Sequence, residues 1–200
     1  SQPKEYTRTL PCMTTGCDSI VTLRLTQAER PMARLLDDEL CGDDALVFEV
    51  ANSEWMDSLK IEVPGQGTFV YTGRQQELQC RIEPGLIRAN SNRYHARLYT
   101  YMSWCDTYVD TCSFNMNISS DVVEVVLGNI FAIKDTEHNG GYDMAEFQWY
   151  ADGEPITGAT HAVLYAQDMP EGTVYTVQVV LSDGTPLWIC PFTIKTLTPI

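Results

Sequence analysis

The sequence predicts an all-β chain built of tandem β-sandwiches. Three observations carry that expectation. Apolar residues alternate or cluster in short runs instead of recurring every three or four positions, and Gly, Pro, Asn and Asp turn signals punctuate those runs. A content of 44% hydrophobic and 20% charged residues is the balance of a chain that buries a core. Two hundred residues leave room for two small sandwiches.

Taken in order, the strand-like runs are 19–25, 45–50, 58–63, 68–72, 77–82, 94–104, 113–118, 122–131, 145–150, 162–165, 174–181 and 187–194. Between them lie Pro64-Gly65-Gln66-Gly67, Glu83-Pro84-Gly85, Asn139-Gly140-Gly141, Asp152-Gly153-Glu154-Pro155 and Asp183-Gly184. Glycine supplies positive φ and proline a fixed φ at such turns, and Asp-Gly between two apolar runs marks a hairpin. Residues 27–40 depart from the pattern, because Ala28, Met32, Leu35, Leu36 and Leu40 recur at helical spacing. With Pro31 near its start, this stretch reads as a short helix or a linker. Polar connections near residues 26–36 and near residue 120 divide the chain into segments 1–36, 37–120 and 121–200.

The net charge is −14, and residues 121–200 hold eleven Asp or Glu against Lys134 and Lys195, with no Arg. Phosphate backbones and anionic headgroups repel such a surface, so nucleic acid is not an expected partner. No run approaches the roughly 20 apolar residues of a membrane helix, so membrane insertion is not expected either.

Seven cysteines, Cys12, Cys17, Cys41, Cys80, Cys105, Cys112 and Cys190, form no Cys-x-x-Cys and have no neighbouring His, which argues against zinc and for disulfides in an oxidising compartment. Cys105 with Cys112 across a hairpin and Cys12 with Cys17 around a small loop are candidate pairs. Cys190, inside the apolar run Leu187-Trp188-Ile189-Cys190, reads as a free buried thiol.

Segment 147–160, Phe-Gln-Trp-Tyr-Ala-Asp-Gly-Glu-Pro-Ile-Thr-Gly-Ala-Thr, resembles strand C and the following turn of immunoglobulin-like domains, and 171–177 resembles the entry to strand F. The resemblance implies an immunoglobulin-like C-terminal sandwich with Trp149 and Tyr175 in its core and the Tyr175 hydroxyl bonded to backbone. Two positions after the tyrosine, antibody domains carry Cys and this chain carries Val177, so Trp149 is expected to pack on Val177 and Val179 without an inter-sheet disulfide.

The same Trp-Tyr string, together with Tyr6-Thr7-Arg8-Thr9-Leu10 and Gly16-Cys17-Asp18-Ser19-Ile20-Val21-Thr22-Leu23, is similar to immunoglobulin-like and PKD-like repeat modules of large secreted surface proteins of Bacteroidetes. That resemblance implies an exported, adhesin-type modular protein, with residues 1–36 the end of a preceding repeat plus a linker. It also implies O-glycosylation where Asp precedes Ser and an aliphatic residue, at Ser19 above all.

Catalytic residues are not expected. His95, His138 and His161 are few and scattered, and neither Cys105 nor Cys112 has the local signature of a nucleophile. The acidic stretch 37–44 lacks the order of a calcium loop and reads as solvated, so no metal or other cofactor is expected. The aromatic run 94–108 stands out. Tyr99, Tyr101 and Trp104 are the candidate ligand-binding residues, since Tyr99 and Tyr101 share one face of a strand and aromatic rings on a flat sheet hold sugars by stacking, although the same rings equally fill a core. The expected role is therefore non-catalytic, engaging a protein or glycan at the cell surface. The alternative is a carbohydrate-binding or accessory module of a secreted enzyme.

Overall fold

Alternating apolar side chains need a second sheet to cover them, and in this chain two pairs of sheets do so in succession. A computed structural model describes residues 4–11, 19–25, 29–75, 78–126, 130–166, 170 and 172–194. Strands β1 (Lys4–Leu10) and β2 (Ser19–Leu25) form a two-stranded hairpin with every residue exposed. Tyr6, Leu10, Val21, Leu23 and Leu25 share one of its faces.

The middle sandwich sets three strands against five. β3 (Met32–Leu35), β5 (Leu46–Ala51) and β8 (Leu78–Ile82) make the smaller sheet, in the order β3-β5-β8. The larger contains β4 (Glu39–Cys41), β6 (Ser58–Val63), β7 (Gly67–Thr72), β9 (Tyr94–Tyr101) and β10 (Tyr108–Asn117), in the order β4-β10-β9-β6-β7. β4 runs parallel to β10 and the other pairs are antiparallel. Leu46, Phe48 and Val50 from one sheet meet Leu59, Ile61, Ala96 and Leu98 from the other in a continuous buried core. The tyrosine at the start of β9 closes the corner: Tyr94 donates to the Arg88 carbonyl at 2.7 Å and accepts from the Asn90 and Ser91 amides at 2.6 and 3.1 Å.

The helix-like spacing in 27–40 does not produce a helix. Residues 32–35 pair with β5, Met32 opposite Ala51 and Leu35 opposite Phe48, and residues 39–41 join the other sheet. Tertiary pairing on two sheets overrides the local helical spacing, since a short isolated helix gains little without packing. β3 thus contributes to the middle sandwich from upstream of residue 37.

The C-terminal sandwich has a sheet of β11 (Val123–Val126), β12 (Ile130–Ile133) and β15 (Val163–Tyr165), in the order β11-β12-β15. It faces β13 (Met144–Ala151), β14 (Glu154–Pro155), β16 (Tyr175–Leu181) and β17 (Pro186–Phe192), in the order β14-β13-β16-β17. The single run read over 122–131 is instead two strands folded back on each other, Val126 opposite Ile130. Trp149 is fully buried opposite Val177, and its indole N–H donates to the His161 carbonyl at 2.7 Å. Phe131, Tyr175 and Phe192 ring it, with centroids 4.7 Å apart for Phe131 and Tyr175. Tyr175 is also fully buried, but its hydroxyl makes no hydrogen bond among the described residues. The expected bond to backbone is therefore not made: Thr173, the polar side chain beside it, gives its own hydroxyl to the Pro170 carbonyl.

The two sandwiches share a strand end. Asn117 at the end of β10 lies beside Cys41 of β4, and the next residue, Ile118, bridges in parallel to Ile189 of β17, with Ile118 N–H to Trp188 O and Cys190 N–H to Ile118 O both at 2.8 Å. Cys41 and Cys190 thereby come to 5.8 Å between Cα atoms and form a disulfide. This corrects the reading of Cys190 as a free thiol. Its side chain is buried as expected, but it is buried against a partner 149 residues away in sequence.

Candidate functional site

The end of the middle sandwich opposite this junction presents three connections: 52–57 between β5 and β6, 73–75 after β7, and 102–107 between β9 and β10. Asp57 ties them together. Its Oδ1 accepts from Arg74 Nε at 3.0 Å and Nη2 at 2.5 Å, its Oδ2 accepts from the Ser103 amide at 2.5 Å, and its own amide donates to the Tyr101 carbonyl at 2.8 Å. Those donors, Arg74 first, hold the Asp57 carboxyl below the ordinary carboxylate range. Gly73 donates to the Asp57 carbonyl, and a Cβ at this glycine would lie 2.1 Å from the Met56 carbonyl oxygen, so only glycine admits the close approach. Ser53, fully buried, donates to the Gln75 carbonyl and accepts the Arg74 amide on its own carbonyl.

On this frame the chain exposes aromatic rings. Trp104 is 58% exposed, Trp55 39% and Tyr101 37%. Trp104 directly follows the residue whose amide Asp57 holds, and Trp55 lies two positions before Asp57, so one carboxylate anchors both tryptophan-bearing loops. At the edge of the same end, Arg30 donates to both Asp110 oxygens at 2.7 and 2.6 Å and lies 4.4 Å from the centre of the Tyr108 ring.

The three candidate aromatic residues are therefore not equivalent. Tyr99 and Tyr101 do lie on the outer face of the five-stranded sheet, but Lys60, opposite Tyr99, sets its ammonium 4.1 Å from the centre of that ring. The Tyr99 face is covered, whereas Tyr101 and Trp104 are open. Trp55 was not singled out from sequence, because in isolation Asn-Ser-Glu-Trp-Met-Asp carries no periodicity. Its signal lies in the pairing of β6 with β9, which brings the connection 52–57 beside the connection 102–107.

The remaining candidates are dispersed. Cys105 and Cys112 are free thiols and do not bridge: β9 and β10 pair so that Cys112 faces Ala96 within the strands while Cys105 stays in the loop, its sulfur near Met102 and the Asp106 carbonyl. Burial pushes the third free thiol, Cys80, up to about 12. Cys12 and Cys17 lie outside the described residues. Ser19 begins β2 and is exposed. His95 contacts Ser113 Oγ, His138 contacts Asp135 and His161 lends a carbonyl to Trp149, so the three imidazoles are apart from one another. Among the described residues no group of three or more His, Cys, Asp or Glu could hold a metal ion. In 37–44, Asp37 and Asp44 accept the Glu39 and Cys41 amides and shape a turn.

No family model and no curated protein matches the sequence. Solved structures similar to it include the fibronectin(III)-like modules of Clostridium thermocellum CbhA, at 9% identity and TM-score 0.33, covering 82% of this chain and 93% of that one. Another is SGBP-B of a Bacteroides ovatus mixed-linkage glucan utilization locus, solved with a mixed-linkage heptasaccharide, at 11% identity and TM-score 0.32, covering 95% of this chain and 51% of that one. A third is the N-terminal Ig1-2 module of the Drosophila receptor protein tyrosine phosphatase DLAR, at 11% identity and TM-score 0.31, covering 82% and 97%. The chain is a tandem of β-sandwiches, three strands facing five and then three facing four, the C-terminal one immunoglobulin-like. No described helix is long and apolar enough to cross a membrane.

Proposed function

We propose that this chain is a non-catalytic interaction module of a secreted or cell-surface protein of adhesin type, and that it engages a protein or glycan partner through the loop end of its middle sandwich. The observation that supports this most directly is Asp57 fixing two loops that each expose a tryptophan. Large exposed rings on a preorganised frame bind with little ordering cost, and tryptophan is among the residues that dominate binding energy. In this reading the β1–β2 hairpin belongs to a preceding repeat. A two-stranded hairpin with an uncovered apolar face is at best marginally stable by itself, and further strands would cover Tyr6, Leu23 and Val21. Ser19 on that hairpin is the proposed O-glycosylation position.

The test is retention of purified chain on immobilised glycans and on extracellular matrix proteins. Trp104→Ala and Trp55→Ala should each weaken retention by about tenfold or more, the loss of a single anchor residue. Tyr99→Ala, which removes a ring already covered by Lys60, should change it little. Retention on polysaccharide alone would assign the chain to the accessory-module class. Retention untouched by either tryptophan substitution would sink the assignment of this surface.

A further inference from the structure

Where the two sandwiches meet, the turn after β8, the start of the C-terminal sandwich and the β12–β13 loop enclose a cleft of about 430 Å³, inside the range typical of small-molecule sites and in the kind of place where such sites occur. Its lining brings two cations together in a chain of net charge −14, Arg88 from the middle sandwich and Lys134 from the C-terminal one, and also includes His138. Lys134 is one of two basic residues in 121–200, so this placement uses half of that segment's positive charge.

Neither cation is neutralised by a carboxylate lining the cleft. The Arg88 guanidinium lies 4.4 Å from the centre of the Tyr142 ring and pairs with no carboxylate among the described residues. Lys134 donates to the Asp121 carbonyl at 2.7 Å, a neutral acceptor, and leaves two donor protons unused. His138 takes its carboxylate contact from Asp135, which lies outside the cleft lining. The one acidic side chain that does line it, Asp121, is exposed. The loop carrying Lys134 and His138 is held firmly: buried Asn139 donates to the Lys134 and Tyr142 carbonyls at 3.2 and 2.9 Å and accepts the Tyr142 amide at 2.8 Å.

We infer that this junction cleft binds an oxyanion group, a carboxylate, sulfate or phosphate on a ligand of about one sugar unit, bridging Arg88 of one sandwich to Lys134 of the next. Charge-assisted hydrogen bonds from two domains to one anion give both affinity and a fixed angle between the domains. The cleft lies at the opposite end of the middle sandwich from the tryptophan loops, so the two assignments stand or fall separately.

The experiment is an amide-resolved NMR titration of the intact, oxidised chain with sodium sulfate, inorganic phosphate and sodium glucuronate, each against sodium chloride at matched ionic strength. The three arms tell the sources of the anion apart. At least one should give saturable shifts at Ser119, Asn139 and Gly140. Arg88→Gln and Lys134→Met should each weaken that response at least about tenfold, as expected for a lost hydrogen bond to a charged group. Arg81→Gln, whose guanidinium pairs with Glu83, should leave it intact. Should Arg88→Gln disturb the packing on Tyr142, Lys134→Met carries the test, since that side chain bonds only a carbonyl. Shifts that grow linearly, that chloride reproduces, or that persist in both variants overturn the assignment.

Discussion

Two buried tyrosines separate packing from hydrogen bonding at the scale of single residues. Tyr94 and Tyr175 each begin a strand and each fills a core, yet the first has a donor and two acceptor contacts satisfied and the second has none among the described residues. Tyr94→Phe should therefore cost about 1–3 kcal/mol in chemical denaturation, the penalty for orphaning the amides of Asn90 and Ser91. Tyr175→Phe should be neutral or slightly stabilising, because the hydroxyl it removes is buried with no hydrogen bond among the described residues. The sequence pointed to Tyr175 through its resemblance to strand F and passed over Tyr94, whose corner depends on a loop reaching back four to six residues. Asp57 makes a second prediction at this scale. Its carboxyl is held below the ordinary carboxylate range, so its lock on the loops is complete within that range and above it, and is lost as pH falls through the lowered value. The side-chain carboxyl resonance should titrate below those of exposed aspartates, and Asp57→Asn should speed amide exchange at Ser103 at neutral pH. The string Asp57-Ser58-Leu59 fits the Asp-Ser-aliphatic glycosylation pattern, but nothing in it marks Asp57 as a loop lock, since its partners Arg74 and Ser103 are distant in sequence.

Among the elements, most strands were legible because each buries one face, and period-two patterning records that directly, as in Ser58–Val63 and Tyr94–Tyr101. The failures have two causes. Where a short strand lies at a sheet edge, as in Met32–Leu35, few of its side chains are buried and helical spacing can arise by accident. Where two short strands abut, as in 122–131, the turn signal Gly128-Asn129 is only two residues long and is easily taken into a single run. The connection 73–75 yields a prediction of its own: Gly73→Ala drives a methyl into the Met56 carbonyl and should destabilise the middle sandwich by roughly 1–3 kcal/mol, the usual range for overpacking. Gly65, Gly85 and Gly184, whose Cβ positions are open, offer internal comparisons in which the positive φ alone is at stake.

Across the whole molecule, the decisive feature was the least legible one. Fourteen residues of β10 and its extension, 108–121, pass from one sandwich to the other without a linker, and this makes neighbours of Cys41 and Cys190, which no spacing rule connects. Cys41→Ser should lower unfolding stability by about 2–5 kcal/mol under oxidising conditions, since the bridge closes a long loop. In the presence of reductant the wild-type chain should fall to the level of the variant, which checks that the bridge and not the side chain is responsible. A further consequence concerns force. Pulled from either side, between residue 30 and residue 194, the chain transmits tension from β4 through two sulfur atoms to the end of β17. The chain between them, 149 positions and about 500 Å of extended contour, carries no load until that bond is reduced. A surface tether built of such units would keep its loops folded under shear, and its compliance would be set by redox conditions rather than by the strength of its sheets.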